Sequence, residues 1–173
     1  MKIKSTLTNK SGQILDYIYY EDIDPMQNLD GKVLQGIHAY CFYGYKMVLV
    51  KHPKSGWMPP GGHIEKGETI EGTVAREVKE ETNMKVLHQE MIGFHDIYEP
   101  ERIVRQTRSF CIVEPYGDFA TDPDGEITEI KLIEPKDYKQ YFDWGEIGDR
   151  IIERALEMHR VLVFGTNNHT KRL

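Results

Sequence analysis

The sequence predicts an α/β fold in which a mixed β-sheet lies between helices. Short apolar runs typical of strands fill most of the chain, one amphipathic helical segment interrupts them near the middle, and a second closes the chain. Residues 33–53 are apolar almost without interruption, which is typical of strands covered on both faces. With 173 residues, 39% of them hydrophobic, the chain can bury one sizeable core.

Two helices are predicted from apolar periodicity. The first runs from Thr69 to about Asn83, because Ile70, Val74 and Val78 recur at positions i, i+4 and i+8. Asn83 is a suitable end, since asparagine tolerates the left-handed conformation. The second helix covers residues 145–164, with apolar positions Ile147, Ile151, Ala155, Leu156, His159 or Met158, and Leu162.

The strands divide the chain into three predicted regions. Residues 1–32 hold two short β-like runs about the turn Lys10-Ser11-Gly12, and we expect an N-terminal extension that forms a β-hairpin and is a candidate dimerisation element. Residues 33–164 form the main domain, with two strands about Gly44 and three further strands, "MKVLHQEMIGFHDIYE", "RQTRSFCIVEPYG" and "EITEIKLIEP". Residues 165–173 are predicted to be a flexible C-terminal tail.

Charge and composition exclude several classes of partner. The 28 acidic and 22 basic side chains give a net charge of −6, which argues against binding to a nucleic-acid polymer or an anionic membrane. No apolar run resembles a secretory signal or reaches the length of a bilayer, so we expect a soluble, cytoplasmic protein. Cys41 and Cys111 lie in apolar stretches and are predicted to be buried free thiols.

Three glutamates crowd one surface of the predicted mid-chain helix. At about 100° per residue, Glu77, Glu80 and Glu81 fall within an arc of roughly 100° beside the apolar stripe. Their repulsion would cost several tenths of a kcal/mol per pair. A bound Mg²⁺ or Mn²⁺ would offset it, because hard cations prefer carboxylate oxygens. The alternative is a solvated face on which Arg76, Lys79 and Lys85 compensate the charge.

The residues around this helix resemble the Nudix box, the signature of the Nudix hydrolase family. The fixed positions of the box are matched in order and spacing by Gly62, Glu68, Arg76, Glu77, Glu80 and Glu81, with Val78 and Met84 at the aliphatic positions. Chance would produce six such matches in a chain this long with odds on the order of one in a hundred thousand. Asn83 stands where the family has glycine and is the mildest replacement at a left-handed helix end.

The resemblance implies the family's α/β/α sandwich and the hydrolysis of a phosphoanhydride in a nucleoside diphosphate linked to another moiety. It implies that Glu77, Glu80 and Glu81 hold Mg²⁺, with Mn²⁺ as the alternative, and that a backbone carbonyl of Gly61 or Gly62 joins them. Either Glu77 or the metal site would take the proton from the attacking water.

Two residues of the box have an expected role behind the metal ligands. Arg76 and Glu68 would orient the carboxylates, a role whose loss typically weakens a metal site by roughly 10 to 100-fold. The family often takes another carboxylate from a later strand or loop. Glu126 in "DGEITEIKL" is the first candidate, Glu129 is the next, and Glu99 and Glu101 in "YEPER" stay open; the alternative for each is an exposed surface group.

Basic residues outside the box are candidates for binding phosphate or sugar. Arg102, Arg105 and Arg108 are three residues apart, so at most two of them can face one cleft if they lie in a strand. Lys51 and His52 end an apolar strand before the glycine-rich loop and are similar candidates. The alternative for all of them is surface charge.

The sequence leaves the substrate open among nucleoside triphosphates, ADP-ribose or nucleotide sugars, and dinucleoside polyphosphates. Tyr98 and Pro100 lie about where family subgroups are distinguished, a hint towards ADP-ribose or a dinucleoside polyphosphate. Trp57 and Tyr98 are candidates to stack on a base, with packing as the alternative. A non-catalytic nucleotide-binding or regulatory module is the competing function. A Nudix-like isomerase is disfavoured because neither cysteine lies in the surroundings that it requires.

Overall fold

The computed structural model describes residues 1–120 and 122–165. In this part of the chain, nine strands and two α-helices follow one another, with a short 3-10 helix before the last. Their bounds are β1 Lys2–Thr8, β2 Ile14–Glu21, β3 Lys32–Tyr43, β4 Lys46–His52, β5 Gly56–Met58, β6 Gly61–His63, α1 Ile70–Thr82, β7 Met84–Tyr98, β8 Ile103–Pro115, β9 Glu129–Ile133, the 3-10 helix Pro135–Gln140, and α2 Gly145–Gly165.

The strands form one mixed sheet, as predicted. Its order is β1-β2-β7-β8-β3-β4-β5, with β6 paired to β3 and β9 paired to β4. β3 and β8 are parallel, whereas the other pairs are antiparallel. The predicted N-terminal hairpin is present, but β2 also pairs with β7. The hairpin is therefore an edge of the main sheet.

The two helices cover opposite faces of the sheet, which confirms the α/β/α layering. Side chains alternate along β3, so that Cys41 joins the core beneath α1 while Tyr40 and Phe42 join the core beneath α2. The first core includes Val74 and Val78 from the predicted stripe of α1. The second is larger and takes its apolar side chains from α2, the 3-10 helix and the central strands.

Both ends of α1 are capped, and the cap at the C-terminal end is the predicted one. The Thr69 side chain accepts a hydrogen bond from the backbone N–H of Gly72 at 3.0 Å, which satisfies one of the unpaired N–H groups of the first turn. Asn83 adopts the left-handed conformation, with φ of 55° and ψ of 37°, and its N–H bonds to the Lys79 carbonyl. The asparagine in the family's glycine position therefore ends the helix as glycine would.

The remaining predictions have mixed outcomes. Cys41 and Cys111 are buried free thiols, as expected, and no helix of residues 1–120 and 122–165 is long and apolar enough to cross a membrane. The sequence did not predict the short strands β5 and β6 or the 3-10 helix. Residues 166–173 of the predicted tail lie outside the described residues, and the predicted domain boundaries stay a prediction.

Candidate active site

Close approach between β6 and its neighbours explains the glycine pair at the start of the box. A Cβ added to Gly61 would lie 2.3 Å from the Ile37 carbonyl oxygen and 2.6 Å from a ring carbon of His38. A Cβ added to Gly62 would lie 2.2 to 2.6 Å from the carboxyl atoms of Glu77. The pair thus lets β6 lie against β3 on one side and the Glu77 carboxylate on the other.

Arg76 is the centre of the carboxylate network on α1. Its guanidinium donates two hydrogen bonds to Glu68, at 2.7 and 3.0 Å. It also donates to Glu77 at 2.9 Å, to Glu80 at 3.1 Å and to the His63 carbonyl at 3.1 Å. The hydrogen bond from Arg76 lowers the pKa of Glu68 to about 2, so this carboxylate stays charged and holds the guanidinium in place.

Glu81 lies deeper than the other glutamates of the box. Glu81 is only 7% exposed, and its carboxylate accepts a hydrogen bond from the backbone N–H of Gly61 at 2.9 Å. Its pKa is raised to about 8, mainly by burial and in part by the charges of Glu77, Asp122 and Glu126, while the Gly61 hydrogen bond acts in the opposite direction. Burial also raises the pKa of Glu77. The site therefore disfavours the ionised form of both carboxyl groups, which a bound cation would favour.

The carboxylates fit a hard divalent cation by their chemistry, although they do not converge on one point. Within residues 1–120 and 122–165, no three carboxylate, histidine or cysteine side chains lie close enough together to hold a metal ion. Glu77 and Glu80 both face Arg76, and Glu81 faces the Gly61 N–H. Binding a cation with all three would require Glu77 and Glu80 to turn away from Arg76. The shortage of positive charge favours such a cation.

A loop before β9 brings two more acids to the site. The charges of Asp122 and Glu126 both act on Glu81. Asp122 is buried, and its carboxylate accepts hydrogen bonds from the N–H groups of Asp124, Glu126 and Ile127 at 3.1, 3.0 and 2.8 Å. Sequence reasoning identified Glu126 but missed Asp122. The signal for it was weak: an aspartate at the start of the turn-rich run "DPDG", a position typical of a structural turn.

Two of the predicted basic residues form exposed ion pairs. The Lys51 ammonium lies 2.6 Å from Glu129, and the Arg102 guanidinium lies 2.6 Å from Glu99. Glu129 and Glu99 were the alternatives to Glu126 as the additional carboxylate of the site, and in the structure each has its charge balanced by one of these ion pairs. Trp57 packs edge-on against Tyr141, with ring centroids 6.0 Å apart, which supports the packing interpretation of that aromatic residue.

Arg105 is not available to a substrate, which corrects its assignment as a binding residue. The residue is 1% exposed, and it forms a two-pronged ion pair with Asp96 at 2.7 and 2.9 Å. It also donates to the Pro25 and Gln27 carbonyls at 2.5 and 2.6 Å. Lys32 adds a second cation 2.7 Å from Asp96. Arg105 therefore links the segment that contains Pro25 and Gln27, before β3, to the sheet. Spacing alone could not distinguish this buried arginine from its neighbours.

Comparison with known proteins gives the same architecture and signature. The family model of the NUDIX domain matches residues 37–155. The chain is 32% identical over 78 residues to YtkD of Bacillus subtilis (strain 168), a proposed 8-oxo-dGTP diphosphatase, covering 45% of this chain and 49% of YtkD. It is 32% identical over 71 residues to the Nudix hydrolase YvcI of the same organism, covering 39% of this chain and 45% of YvcI. The chain thus spans about half the length of these curated relatives.

Solved structures share the fold at low sequence identity. The crystal structure of the Bacillus subtilis pyrophosphohydrolase BsRppH has a TM-score of 0.68 and 19% identity, covering 89% of this chain and 97% of that one. A NUDIX hydrolase from Nitrosomonas europaea has a TM-score of 0.54 and 21% identity, covering 71% and 88%. These similarities concern the fold, while the family model spans most of the chain. The chain therefore belongs to the Nudix hydrolase family.

Proposed function

We propose that this protein is a divalent-metal-dependent hydrolase that cuts a phosphoanhydride bond in a nucleoside diphosphate linked to another moiety. The observation that carries the proposal is the cluster of carboxyl groups beside the glycine pair. Glu77, Glu80 and Glu81 share one surface with a single arginine between them, and burial keeps the pKa of Glu81 near 8. A carboxylate site of this kind suits a hard cation that also binds phosphate oxygens.

The metal ligands that we propose are Glu77, Glu80 and Glu81, with the carbonyl of Gly61 as a further candidate. Mg²⁺ is the expected ion and Mn²⁺ the alternative. When bound, such an ion neutralises phosphate oxygens and makes water more acidic. Glu126 is the candidate for an additional carboxylate, because its charge acts on Glu81.

The other residues of the box hold this arrangement in place. Glu68 fixes the Arg76 guanidinium with two hydrogen bonds, and Thr73 donates to Glu68 at 2.8 Å. Arg76 in turn reaches Glu77 and Glu80. If Glu77 and Glu80 turned from Arg76 to a bound cation, the guanidinium would have donors free for the charge of a phosphate. Glu77 is the candidate to accept a proton from water, since burial raises the pKa of its carboxylate.

The substrate that we propose is a small nucleotide, whether a nucleoside triphosphate, a nucleotide sugar such as ADP-ribose, or a dinucleoside polyphosphate. The names of YtkD and BsRppH describe a diphosphatase and a pyrophosphohydrolase, and this supports the reaction class. A cytoplasmic location and a homodimer stay predictions. The alternative function is a binding or regulatory module of the same fold, which would hold nucleotides without turnover. The complete set of charged box positions favours the enzyme.

A screen for phosphate release tests the proposal. The purified protein is incubated with Mg²⁺ and nucleoside triphosphates, nucleotide sugars or dinucleoside polyphosphates, alongside the variants Glu81→Gln and Glu71→Gln. Glu71 lies exposed in the first turn of the same helix, outside the site. We expect turnover of at least one compound, a loss of at least about 10 to 100-fold in Glu81→Gln, and near-parental activity in Glu71→Gln. Binding without turnover would favour the regulatory module, and full activity of Glu81→Gln would refute the proposed metal site.

A further inference from the structure

The strand β1 leaves one side of its backbone unpaired. It is the first strand in the order of the sheet, and among the residues that the structure describes it pairs with β2 alone. Its hydrogen bonds to β2 lie at odd-numbered residues: the Met1 carbonyl accepts from the Glu21 N–H, and the Asn9 N–H donates to the Gln13 carbonyl, both at 2.9 Å. Antiparallel strands alternate between residues that bond inward and residues that face outward. The residues of β1 whose N–H and C=O groups face outward are therefore Lys2, Lys4, Thr6 and Thr8.

This free edge has few of the features that keep edge strands apart. An exposed strand edge pairs readily with another strand unless a proline, a bulge, a covering segment or a charge prevents it. β1 contains no proline and pairs with β2 in unbroken register over all seven of its residues. The remaining guards are Lys2 and Lys4, and their effect depends on which residues a partner strand would place opposite them.

Two apolar side chains lie along the edge, on the face of the sheet that α2 covers. Ile3 and Leu7 stand opposite Tyr19 and Leu15 of β2 and point to the same face, because side chains alternate along a strand. Ile3 packs against the core beneath α2, yet both Ile3 and Leu7 stay only half-buried. The lysines point to the other face and are exposed. A strand added at this edge would therefore cover apolar surface and leave the lysines in water.

The outward residues of β1 are complementary to themselves in one antiparallel register. A second copy related by a two-fold axis at Ser5 would place Lys2 opposite Thr8 and Lys4 opposite Thr6. Each of these pairs would occur twice by symmetry and would exchange two backbone hydrogen bonds, since all its members face outward. Every unpaired backbone group of the edge would then have a partner, and no lysine would stand directly opposite another.

The same register brings the apolar residues together. Ile3 of each copy would lie opposite Leu7 of the other, at positions without mutual hydrogen bonds, where side chains approach each other most closely. Moving the axis by one residue towards the N-terminus would set Lys4 opposite Lys4, which is destabilising. Moving it by one residue the other way would set Ile3 opposite the polar Asn9. The axis at Ser5 is thus the one that satisfies backbone, apolar and charged groups together.

Charge at the end of the strand favours the same partner. Met1 and Ile3 line a groove against the first turns of α2. The charged residues of this groove are Glu146, Asp149, Arg150 and Glu153. In the register about Ser5, Asn9 of the second copy stands opposite Met1, and the exposed Lys10 follows it in the hairpin turn. The second copy would therefore bring a cation beside a groove in which acids outnumber the single arginine.

We propose that β1 is an interface between two copies of this chain, joined about a two-fold axis at Ser5 into one continuous sheet. A two-fold interface uses the same surface twice and must be complementary to itself, which is the property that the register of β1 has. A strand from another protein would meet the backbone groups equally well, but it would have no cause to match both the apolar pair and the lysines. The inference does not depend on the proposed hydrolysis.

Charge substitutions at Thr8 test the interface, because Thr8 is exposed and would lie opposite Lys2 of the second copy. Thr8→Glu creates two pairs of opposite charge and should lower the dissociation constant of the dimer by about 2 to 30-fold. Thr8→Lys sets lysine against lysine twice and should raise it by a similar factor. The measurement is sedimentation equilibrium over about 1 to 300 μM of protein, a range suited to a small interface.

The matched controls carry the same charges at the other edge of the sheet. Ser55 is exposed in the turn between β4 and β5, and β5 is the last strand in the order of the sheet. Ser55→Glu and Ser55→Lys change the net charge as the Thr8 variants do, and they should leave the dissociation constant within about twofold of the parental value, because screened charges act only over about 10 Å. Equal effects of the two sets of variants would place any dimer contact elsewhere and overturn the proposal.

A cysteine at the axis tests the register independently. In Ser5→Cys the two Cα atoms would lie about 4.5 Å apart, within the range of a disulfide, whereas in Thr6→Cys they would lie about 8 to 9 Å apart, beyond it. Both variants retain the buried thiols Cys41 and Cys111, so the difference between them reports on the new cysteine alone. In an oxidising glutathione buffer, Ser5→Cys should run as a covalent dimer on a non-reducing gel and Thr6→Cys as a monomer.

The outcomes separate the interface from the register and from catalysis. A parent protein that stays monomeric over the whole concentration range refutes the interface. A dimer in which Thr6→Cys is cross-linked as fully as Ser5→Cys refutes the register about Ser5. Glu81→Gln should sediment as the parent protein does, because Glu81 lies beneath α1 and away from β1. Loss of turnover in that variant therefore says nothing against the interface.

Discussion

The substitution Gly62→Ala tests the geometry of the glycine pair alone, because it leaves every glutamate of the site in place. The added Cβ would lie 2.2 Å from the nearest Glu77 oxygen, whereas ordinary contact begins at 3.4 Å, so the Glu77 carboxylate must move by about 1 Å. The carboxylate is the end of a flexible side chain, and the fold can therefore absorb this shift. A misplacement of about 1 Å costs roughly 100-fold in rate, or about 2.7 kcal/mol of transition-state stabilisation.

The assay is kcat/KM for the best substrate of the screen, measured with thermal unfolding of the same samples. Gly117→Ala is the matched control, because a Cβ there meets only the side-chain amide of Asn83, at an ordinary 3.6 Å. We expect Gly62→Ala to lose about 100-fold in kcat/KM and to unfold close to the parental temperature, while Gly117→Ala keeps both values. Parental kcat/KM in Gly62→Ala would show that the position of the Glu77 carboxylate does not govern the reaction.

Two other predictions concern stability. Mg²⁺ at about 100 times its dissociation constant should raise the free energy of unfolding by about 2.7 kcal/mol, so the melting temperature should be higher than in EDTA. In Glu81→Gln, Mg²⁺ should raise the melting temperature less. Identical melts of the parent protein over a wide range of Mg²⁺ concentration would contradict a substrate-free metal site. Asp96→Asn should lower the free energy of unfolding by about 3 to 5 kcal/mol in urea titrations, because it leaves the buried Arg105 without its ion pair. Glu99→Gln, which removes the exposed partner of Arg102, should change the free energy of unfolding by less than about 1 kcal/mol. Equal effects of the two substitutions would refute the structural role of Arg105.

Helix α1 and its glutamates could be predicted because the residues that determine them are close together in the sequence. The apolar stripe of α1 and its left-handed asparagine end are encoded within 15 residues, and the structure has both where the sequence predicted them. The box glutamates follow directly from that helix, since helical spacing fixes their common surface. Residues that depend on neighbours close in sequence were thus within reach of sequence reasoning.

Long-range pairings account for what the sequence could not predict. Arg105 and Arg108 are both arginines of the strand β8, and only the tertiary structure separates them: Asp96 of β7 lies beside Arg105, while Arg108 meets a neutral histidine and a cavity. Asp122 resembled an ordinary turn aspartate until the loop placed it near Glu81. β6 has three residues, too few for an alternating pattern, and it forms because β3 is there to pair with it.

A cluster of acids and a buried arginine without a carboxylate partner lie on opposite faces of the same sheet. The acids near Glu81 have too little positive charge around them, and Arg108 has no acid beside it. Neither arrangement stabilises the folded chain, because buried unpaired charge is costly against a net stability of only about 5 to 15 kcal/mol. A cation held by Glu77, Glu80 and Glu81 would relieve the first of these arrangements, and we therefore expect Mg²⁺ to stabilise the folded protein.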